Sequence, residues 1–176
     1  DAAQKLAILS RIAFCCRGTG SEVFCEGIEA IEASDIEYAR ELGYVIKLLA
    51  IAKRNGNLVE MRVHPAMVPA ASLMANINNE FNAIEIVGSA VGNQVFYGKG
   101  AGQMPTASAV VSDMVELVER KTAGATPAVG DMVLGDEALG VAPVEQIEIR
   151  YFLRMQVSDR PGVLEQIAHI LAGEEI

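Results

Sequence analysis

The sequence predicts an α+β fold in which helices cover a mostly antiparallel, mixed sheet, followed by a linker and an incomplete βα unit. Two strand-like segments flank the dipeptide Asn55-Gly56, which is a strong β-hairpin signal. Helical periodicity precedes and follows these strands. Residues 122–144 are rich in Gly, Pro and Ala and lack periodicity, which indicates a connection between two ordered parts.

Two helices are predicted before the strands. The first covers residues 1–16, and its apolar side chains recur at three- and four-residue steps: Leu6, Leu9, Ile12, Ala13 and Cys16. The second is short and covers residues 34–43, with Ser34 or Asp35 as its N-cap and Gly43 as its C-cap.

Four strands are predicted in the middle of the chain. Residues 44–54 and 58–68 should pair antiparallel across the Asn-Gly turn, and "PAASLMANIN" should form a weak short helix. Residues 82–88 and 94–98 form a second candidate antiparallel pair, because the turn sequence "SAVGN" lies near their junction.

Two further helices are predicted towards the end. Thr106 or Ser108 should open a helix that runs through "ASAVVSDMVELVERK", with Pro105 just before it. After the linker, apolar positions in residues 152–157 indicate a strand, residues 159–162 a turn and residues 163–171 a helix. One strand and one helix cannot bury a core of their own.

Composition restricts the possible partners. The net charge is −9, so a nucleic-acid backbone or an anionic membrane surface would be repelled, and small molecules or proteins are the expected partners. No apolar run approaches the roughly 20 residues of a membrane span.

The odd number of cysteines, three, suits a reducing cytoplasm and predicts ordinary buried thiols. Both histidines lie far from the cysteines, so no metal site is predicted.

Asp1 and Lys5 stand four residues apart and project from one helix face. Two interpretations are open. The pair can be an exposed salt bridge, or the lysine can move a proton between an alcohol and its carbonyl product while the carboxylate holds a substrate ammonium group.

A glycine loop follows the last of the four strands. Its pattern, G-x-G-x-G at Gly98, Gly100 and Gly102, differs from the G-x-G-x-x-G dinucleotide fingerprint. A tight turn entering a helix is one interpretation. The other is a loop whose missing side chains let a flat or anionic group approach the backbone.

Five stretches of the sequence form an ordered set of motifs: "DAAQKLAIL", "DIEYARELGYVIKLLAIA", "VHPAMV", "NAIEIVG" and "FYGKGAGQMPTASAVVSD". In order and spacing they resemble homoserine dehydrogenases, and the last of them is the most specific. The resemblance spans Asp1 to Glu119. A later stretch, "YFLRMQVSDRPGVLEQIAHILA", resembles the first strand and helix of an ACT domain. We therefore expect a catalytic, substrate-binding and dimerisation domain at 1–121, a linker at 122–149 and a truncated ACT domain at 150–176.

The resemblance implies a role for particular residues. Lys5 would be the proton donor and acceptor at the substrate oxygen, and Asp1 its substrate-binding neighbour. The loop Gly100, Ala101 and Gly102 would border the nicotinamide or its ribose, and Thr106 would cap the adjoining helix. The family interconverts L-homoserine and L-aspartate 4-semialdehyde with NAD or NADP in threonine and methionine biosynthesis, and a cytoplasmic homodimer is the expected assembly.

The chain also departs from the family pattern. It lacks the Rossmann fingerprint, a further active-site lysine and the Y-x-E-x-D-P stretch, so the cofactor would be bound mainly by a domain outside this chain. We expect this chain alone to be inactive and to be a piece of a longer protein. The alternatives are an amino-acid-sensing regulatory module, based on the turn Asp159–Gly162, and an oligomerisation domain without a site.

Overall fold

A computed structural model describes residues 1–124 and 138–174. The described elements are, in chain order, α1 (Ala2–Phe14), a 3-10 helix (Gly20–Glu22), β1 (Phe24–Cys25), α2 (Ala33–Glu41), β2 (Tyr44–Asn55), β3 (Leu58–Pro69), a 3-10 helix (Met74–Asn76), β4 (Phe81–Gly88), β5 (Gly92–Lys99), α3 (Gln103–Thr122), β6 (Gly140–Val141), a 3-10 helix (Val144–Gln146) and α4 (Val163–Gly173). Helices and two small sheets confirm the predicted α+β class.

The hairpin of β2 and β3 is the centre of the main sheet. The two strands pair antiparallel from Tyr44 opposite Pro69 to Asn55 opposite Leu58, as the Asn-Gly signal predicts. The register makes Gly56 and Asn57 the two loop residues. Gly56 has a φ of 59°, a left-handed conformation that glycine adopts without strain.

Two short strands share the other edge of β3. Residues of β1 pair parallel with Arg62 and Val63, while β6 pairs parallel with Leu58 and Val59. The end of the predicted linker therefore contributes a strand to the main sheet. Residues 125–137 of that predicted linker lie outside the described residues.

The core lies between α1 and one face of the main sheet. Its fully or largely buried side chains are Leu6, Cys16, Val23, Val59, Met61 and Val63. The buried face of α1 differs from the predicted stripe, because Leu6, Ala7 and Ser10 are buried whereas Leu9 and Ile12 are 38% and 49% exposed. Small residues at Ala7 and Ser10 let the helix approach the sheet closely, which outweighs the larger side chains on the neighbouring face.

Cysteine burial also differs from the prediction. Cys16 is buried in the core, whereas Cys15 and Cys25 are exposed, and all three thiols are free. Cys15 lies at the C-cap of α1, and Cys25 ends the edge strand β1. Both positions are at the boundary of the core, where a small side chain is not enclosed.

Helix α2 packs along β2, and its N-cap lies two residues before Ser34, the earlier of the two predicted N-caps. Glu32 is its N-cap, and Glu32 and Asp35 form a reciprocal capping box. Ser34 and Asp35 therefore lie inside the first turn. Gly43 follows the C-cap Leu42 and has a φ of 81°, so the predicted glycine stop lies one residue beyond the cap.

Strands β4 and β5 form a separate two-stranded sheet. They pair antiparallel from Phe81 opposite Lys99 to Gly88 opposite Gly92, which confirms the second predicted hairpin. Helix α3 follows this hairpin directly, and in the described part of the chain none of its residues is buried.

The C-terminal residues form a helix without the predicted strand. Helix α4 covers Val163–Gly173, but residues 151–160 have no regular structure. The strand predicted at 152–157 is therefore wrong for this chain. A strand needs neighbouring strands to satisfy its backbone groups, and the described residues offer none beside this segment.

Candidate active site

Asp1 and Lys5 meet on the first turn of α1. The Lys5 Nζ lies 2.7 Å from the Asp1 Oδ2. The Lys5 amide also donates to the Asp1 carbonyl oxygen at 3.1 Å, which is the first helical hydrogen bond of α1. Asp1 is the N-cap residue, yet its side chain makes no capping hydrogen bond. Its carboxylate is thus committed to the lysine and not to the helix backbone.

The pair is open to solvent in the described structure. The side chains of Lys5 and Asp1 are 70% and 82% exposed. Helix α1 packs against β2 and β3 through its other face, so the pair lies on the side away from the core. A lysine–carboxylate pair in this position can hold a carbonyl or hydroxyl group by hydrogen bonds and can exchange a proton with it.

Gly100, Ala101 and Gly102 connect β5 to α3. The Gly100 amide donates to the Glu80 carbonyl oxygen at 3.3 Å, which holds the loop against the start of β4. A Cβ atom on Gly100 would collide with the Asn82 side chain. Gly102 has a φ of 123° and a ψ of 155°, a region open essentially to glycine alone. The backbone therefore requires glycine at Gly102, whereas the group that a Cβ on Gly100 would meet is an exposed side chain that can move.

Thr106 does not cap α3 as predicted. The N-cap is Gly102, and Thr106 lies four residues later, where its amide donates to the Gly102 carbonyl oxygen at 3.1 Å. Pro105 lies in the first turn, where backbone N–H groups have no helical partner, so its missing N–H costs nothing. The helix can therefore begin before the proline, two residues ahead of the boundary that Pro105 predicts.

The structure does not join the two predicted parts of the site. Among residues 1–124 and 138–174, no hydrogen bond or ion pair links Asp1 or Lys5 to the loop Gly100–Gly102. Two open clefts, of about 460 and 360 Å³, are lined by other residues. No group of three or more His, Cys, Asp or Glu side chains in these ranges is arranged to hold a metal ion.

Lys47, which is not among the residues predicted from the sequence, connects the main sheet to the segment that precedes the β4–β5 hairpin. Its Nζ donates to the Ile77 carbonyl oxygen at 2.6 Å and to the Asn78 Oδ1 at 2.9 Å. The sequence feature that could have indicated Lys47 is its position as a charged residue within the apolar run "VIKLLAIA". A charged residue in such a run must find polar partners when the strand is packed.

A second ion pair lies directly beside the loop. The Lys99 Nζ is 3.2 Å from the Glu80 Oε1 and 5.6 Å from the centre of the Phe81 ring. A hydrogen bond from its own backbone N–H and another from Lys99 lower the pKa of Glu80 below its ordinary range. Glu80 therefore stays ionised near neutral pH and holds both ends of the β4–β5 hairpin together.

Comparison with known proteins identifies the family. The family model described as homoserine dehydrogenase matches residues 1–115, which include the Asp1–Lys5 pair and the glycine loop. The chain belongs to the homoserine dehydrogenase family. Homoserine dehydrogenases from Neisseria gonorrhoeae and Corynebacterium glutamicum are 41% and 42% identical to it, and each alignment covers 100% of the chain.

Solved homoserine dehydrogenase structures agree with this assignment. A crystal structure from Thiobacillus denitrificans superposes with a TM-score of 0.73 at 40% identity and covers 98% of this chain and 40% of the other. A Staphylococcus aureus enzyme at pH 6.5 gives a TM-score of 0.62 at 38% identity over 66% of this chain and 30% of the other. The chain spans about 40% of the length of the curated homoserine dehydrogenases that it matches.

Proposed function

We propose that this chain is part of an oxidoreductase that interconverts L-homoserine and L-aspartate 4-semialdehyde with NAD or NADP, in threonine and methionine biosynthesis. The observation that carries the proposal is the 2.7 Å Asp1–Lys5 pair on the first turn of α1, in a chain 41% identical over its whole length to a homoserine dehydrogenase. The proposed setting is the cytoplasm. No helix in residues 1–124 and 138–174 is long and apolar enough to span a bilayer.

Lys5 is the proposed acid and base of the reaction. In the direction of reduction, its ammonium group donates a proton to the aldehyde oxygen as that oxygen becomes a hydroxyl. In the direction of oxidation, the neutral amine accepts the hydroxyl proton. Asp1 orients the lysine through the 2.7 Å contact, and its carboxylate can also accept a hydrogen bond from the substrate ammonium group.

The glycine loop is the proposed edge of the cofactor site. Gly102 has no side chain to obstruct an approaching ring, and the N–H groups of Gln103 and Met104 have no helical partner at the start of α3. Gly100, Ala101 and Gly102 would therefore contact the nicotinamide or its ribose, with Thr106 one turn further along the helix. When bound, the cofactor supplies or accepts the hydride.

A homodimer is the proposed assembly. It rests on the family resemblance and on the apolar surface of the β4–β5 sheet, where Ile84, Ile86 and Phe96 are 43%, 46% and 63% exposed. Apolar side chains clustered on one surface mark an interaction site more often than a free surface.

Substitution of Lys5 tests the proposed reaction. In a full-length homoserine dehydrogenase carrying this segment, Lys5→Ala should lower kcat at least about a hundredfold, the usual contribution of a general acid or base. Steady-state oxidation of NADPH by aspartate semialdehyde measures the effect, and circular dichroism checks folding. Lys53→Ala is the matched control, because Lys53 is an exposed lysine on β2.

Unchanged turnover in the folded Lys5→Ala enzyme would contradict this proposal. It would leave the two other functions predicted from the sequence, amino-acid sensing and oligomerisation. The sensing alternative depends on the turn Asp159–Gly162, which leads into α4 with Gly162 at a φ of 88°.

A further inference from the structure

Lys47 lies at a junction between two parts of the chain. It belongs to β2, opposite Ala66 of β3, and its side-chain nitrogen reaches across to residues 77 and 78. These acceptors lie 30 and 31 residues further along the chain. An ammonium group has three donors and no acceptor, so two carbonyl oxygens at 2.6 and 2.9 Å match it well.

The segment held by Lys47 leads into the β4–β5 hairpin. The Asn78 side chain also donates to the Asn76 carbonyl oxygen at 3.1 Å, and the Phe81 amide donates to the Asn78 carbonyl oxygen at 3.3 Å. Asn78 is thus fixed on both sides. Its position sets where β4 begins.

The start of β4 in turn holds the glycine loop. The Glu80 carbonyl oxygen accepts a hydrogen bond from the Gly100 amide, and the Glu80 carboxylate pairs with Lys99. A continuous set of polar contacts therefore runs from Lys47 through Asn78 and the start of β4 to Gly100.

The strand that carries Lys47 also supports the other part of the proposed site. Strand β2 packs against α1, on which Asp1 and Lys5 lie. The β4–β5 hairpin forms no strand pair with the main sheet within the described residues. Within the described residues, the 3-10 helix at Met74–Asn76 packs against β2 and β3, and Lys47 adds charge-assisted hydrogen bonds to residues 77 and 78 just before the hairpin.

We propose that Lys47 is a positioning residue that fixes the glycine loop relative to the helix carrying Asp1 and Lys5. This inference rests on the proposed function, because it assigns the loop to the cofactor. Lys47 does not touch the reacting atoms. It acts through Ile77, Asn78 and the start of β4.

Amide hydrogen exchange of this chain tests the structural part of the inference. Lys47→Met keeps the length of the side chain but removes its donors. We expect exchange about tenfold faster in peptides covering 77–82 and 96–102, because their support is lost while the rest of the sheet keeps its pairing. Lys53→Met, an exposed lysine six residues along the same strand, should leave both peptides unchanged.

Steady-state kinetics tests the functional part. In a full-length homoserine dehydrogenase carrying this segment, Lys47→Met should lower kcat/KM for NADPH about 10- to 100-fold, the effect of displacing a binding group by about 1 Å. The thermal midpoint reports any general loss of folding. Unchanged kinetics and unchanged exchange at 96–102, with only a lower thermal midpoint, would overturn the inference and leave Lys47 a purely structural residue.

Two further variants keep the outcomes distinguishable. If Lys47→Met does not fold, Asn78→Ala serves as the test, because it removes one of the two acceptors of Lys47 on the exposed side. It should speed exchange at 96–102 by a smaller factor than Lys47→Met. Unchanged exchange there would overturn the inference. Lys5→Ala is measured in parallel. If the Lys5→Ala enzyme keeps full turnover, the proposed function is contradicted. The exchange result for Lys47→Met is independent of that outcome and tests the structural role of Lys47 separately.

Discussion

At the residue scale, Arg154 attaches the C-terminal segment to α2. Its Nε lies 2.6 Å from the Asp35 Oδ1, and its Nη2 lies 2.6 Å from the Glu32 Oε2. These carboxylates also form the capping box of α2. Beside the ion pairs, Tyr38 and Leu42 face Phe152 and Leu153 across an open cleft of about 360 Å³. One guanidinium therefore joins two segments that are 119 residues apart.

Asp35 gives this contact a pH dependence. The pKa of Asp35 lies below its ordinary value of 3.8. The main cause is the hydrogen bond from the Glu32 backbone N–H, and the Arg154 guanidinium lowers it further. A carboxylate with a lowered pKa in the folded state stabilises the fold above the unfolded pKa, and this contribution is lost as pH falls through the lowered value. The sensitive window therefore lies below about pH 3.8.

We expect Asp35→Asn to lower the free energy of unfolding at pH 6 and to have a smaller effect at pH 2.5, because the stabilisation from the native carboxylate decreases as pH falls below 3.8. Urea unfolding followed by circular dichroism at both pH values measures the difference. Glu41→Gln is the control, because Glu41 lines the same cleft without an ion pair to Arg154. An Asp35→Asn effect of equal size at both pH values would contradict the assignment.

At the element scale, the start of α3 depends on the backbone of Gly102. The N-cap has a φ of 123°, and the Thr106 amide bonds back to its carbonyl oxygen. Gly98, four residues earlier, has open space around its missing Cβ and no positive φ. The backbone thus requires glycine at Gly102 in the loop but not at Gly98 in β5.

Gly102→Ala should destabilise the first turn of α3 by about 1–3 kcal/mol, the cost of placing a side chain in a glycine-only region. Exchange of the Thr106 amide measures the loss, since that amide closes the first helical turn. Gly98→Ala is the matched control and should leave the Thr106 amide unchanged. Equal protection of Thr106 in both variants would show that the turn does not depend on Gly102.

At the scale of the whole molecule, α3 presents an apolar face without a partner in the described residues. Val110, Met114 and Leu117 are 53%, 61% and 58% exposed. Exposed apolar side chains clustered on one face mark an interaction site more often than a free surface. The exposed pair Asp1–Lys5 and the separate glycine loop agree with a site that this chain does not complete alone.

This chain by itself should therefore show no turnover. Mixed with NADPH and aspartate semialdehyde, it should oxidise NADPH no faster than buffer does, whereas a full-length homoserine dehydrogenase carrying the segment should oxidise it steadily. Absorbance of NADPH measures both reactions. Steady oxidation by the purified 176-residue chain would contradict the expectation.

Local sequence patterns predicted which helices and strands form better than they predicted what these elements pack against. Both hairpins were correct because Gly56 and Gly92 adopt positive φ angles, which glycine favours and other residues rarely adopt. The predicted buried stripe of α1 was correct at Leu6 and Cys16 but wrong at Leu9 and Ile12, since a 3.6-residue period fits two neighbouring faces and only the sheet decides between them. The strand at 152–157 was wrong because no neighbouring strand satisfies its backbone.

The sequence alone determined the α+β class, the two hairpins and the family, because turns, helical periods and motif spacing depend on residues close together in the chain. It also determined that Asp1 and Lys5 lie close together, because residues four apart project from the same face of a helix. Only the tertiary structure decided that β6 joins β3, that Lys47 holds Asn78 and that Arg154 pairs with Asp35. These contacts join residues that are far apart in the chain. Many partners are possible for each residue, and tertiary packing, not the local sequence pattern, determines which of them it meets.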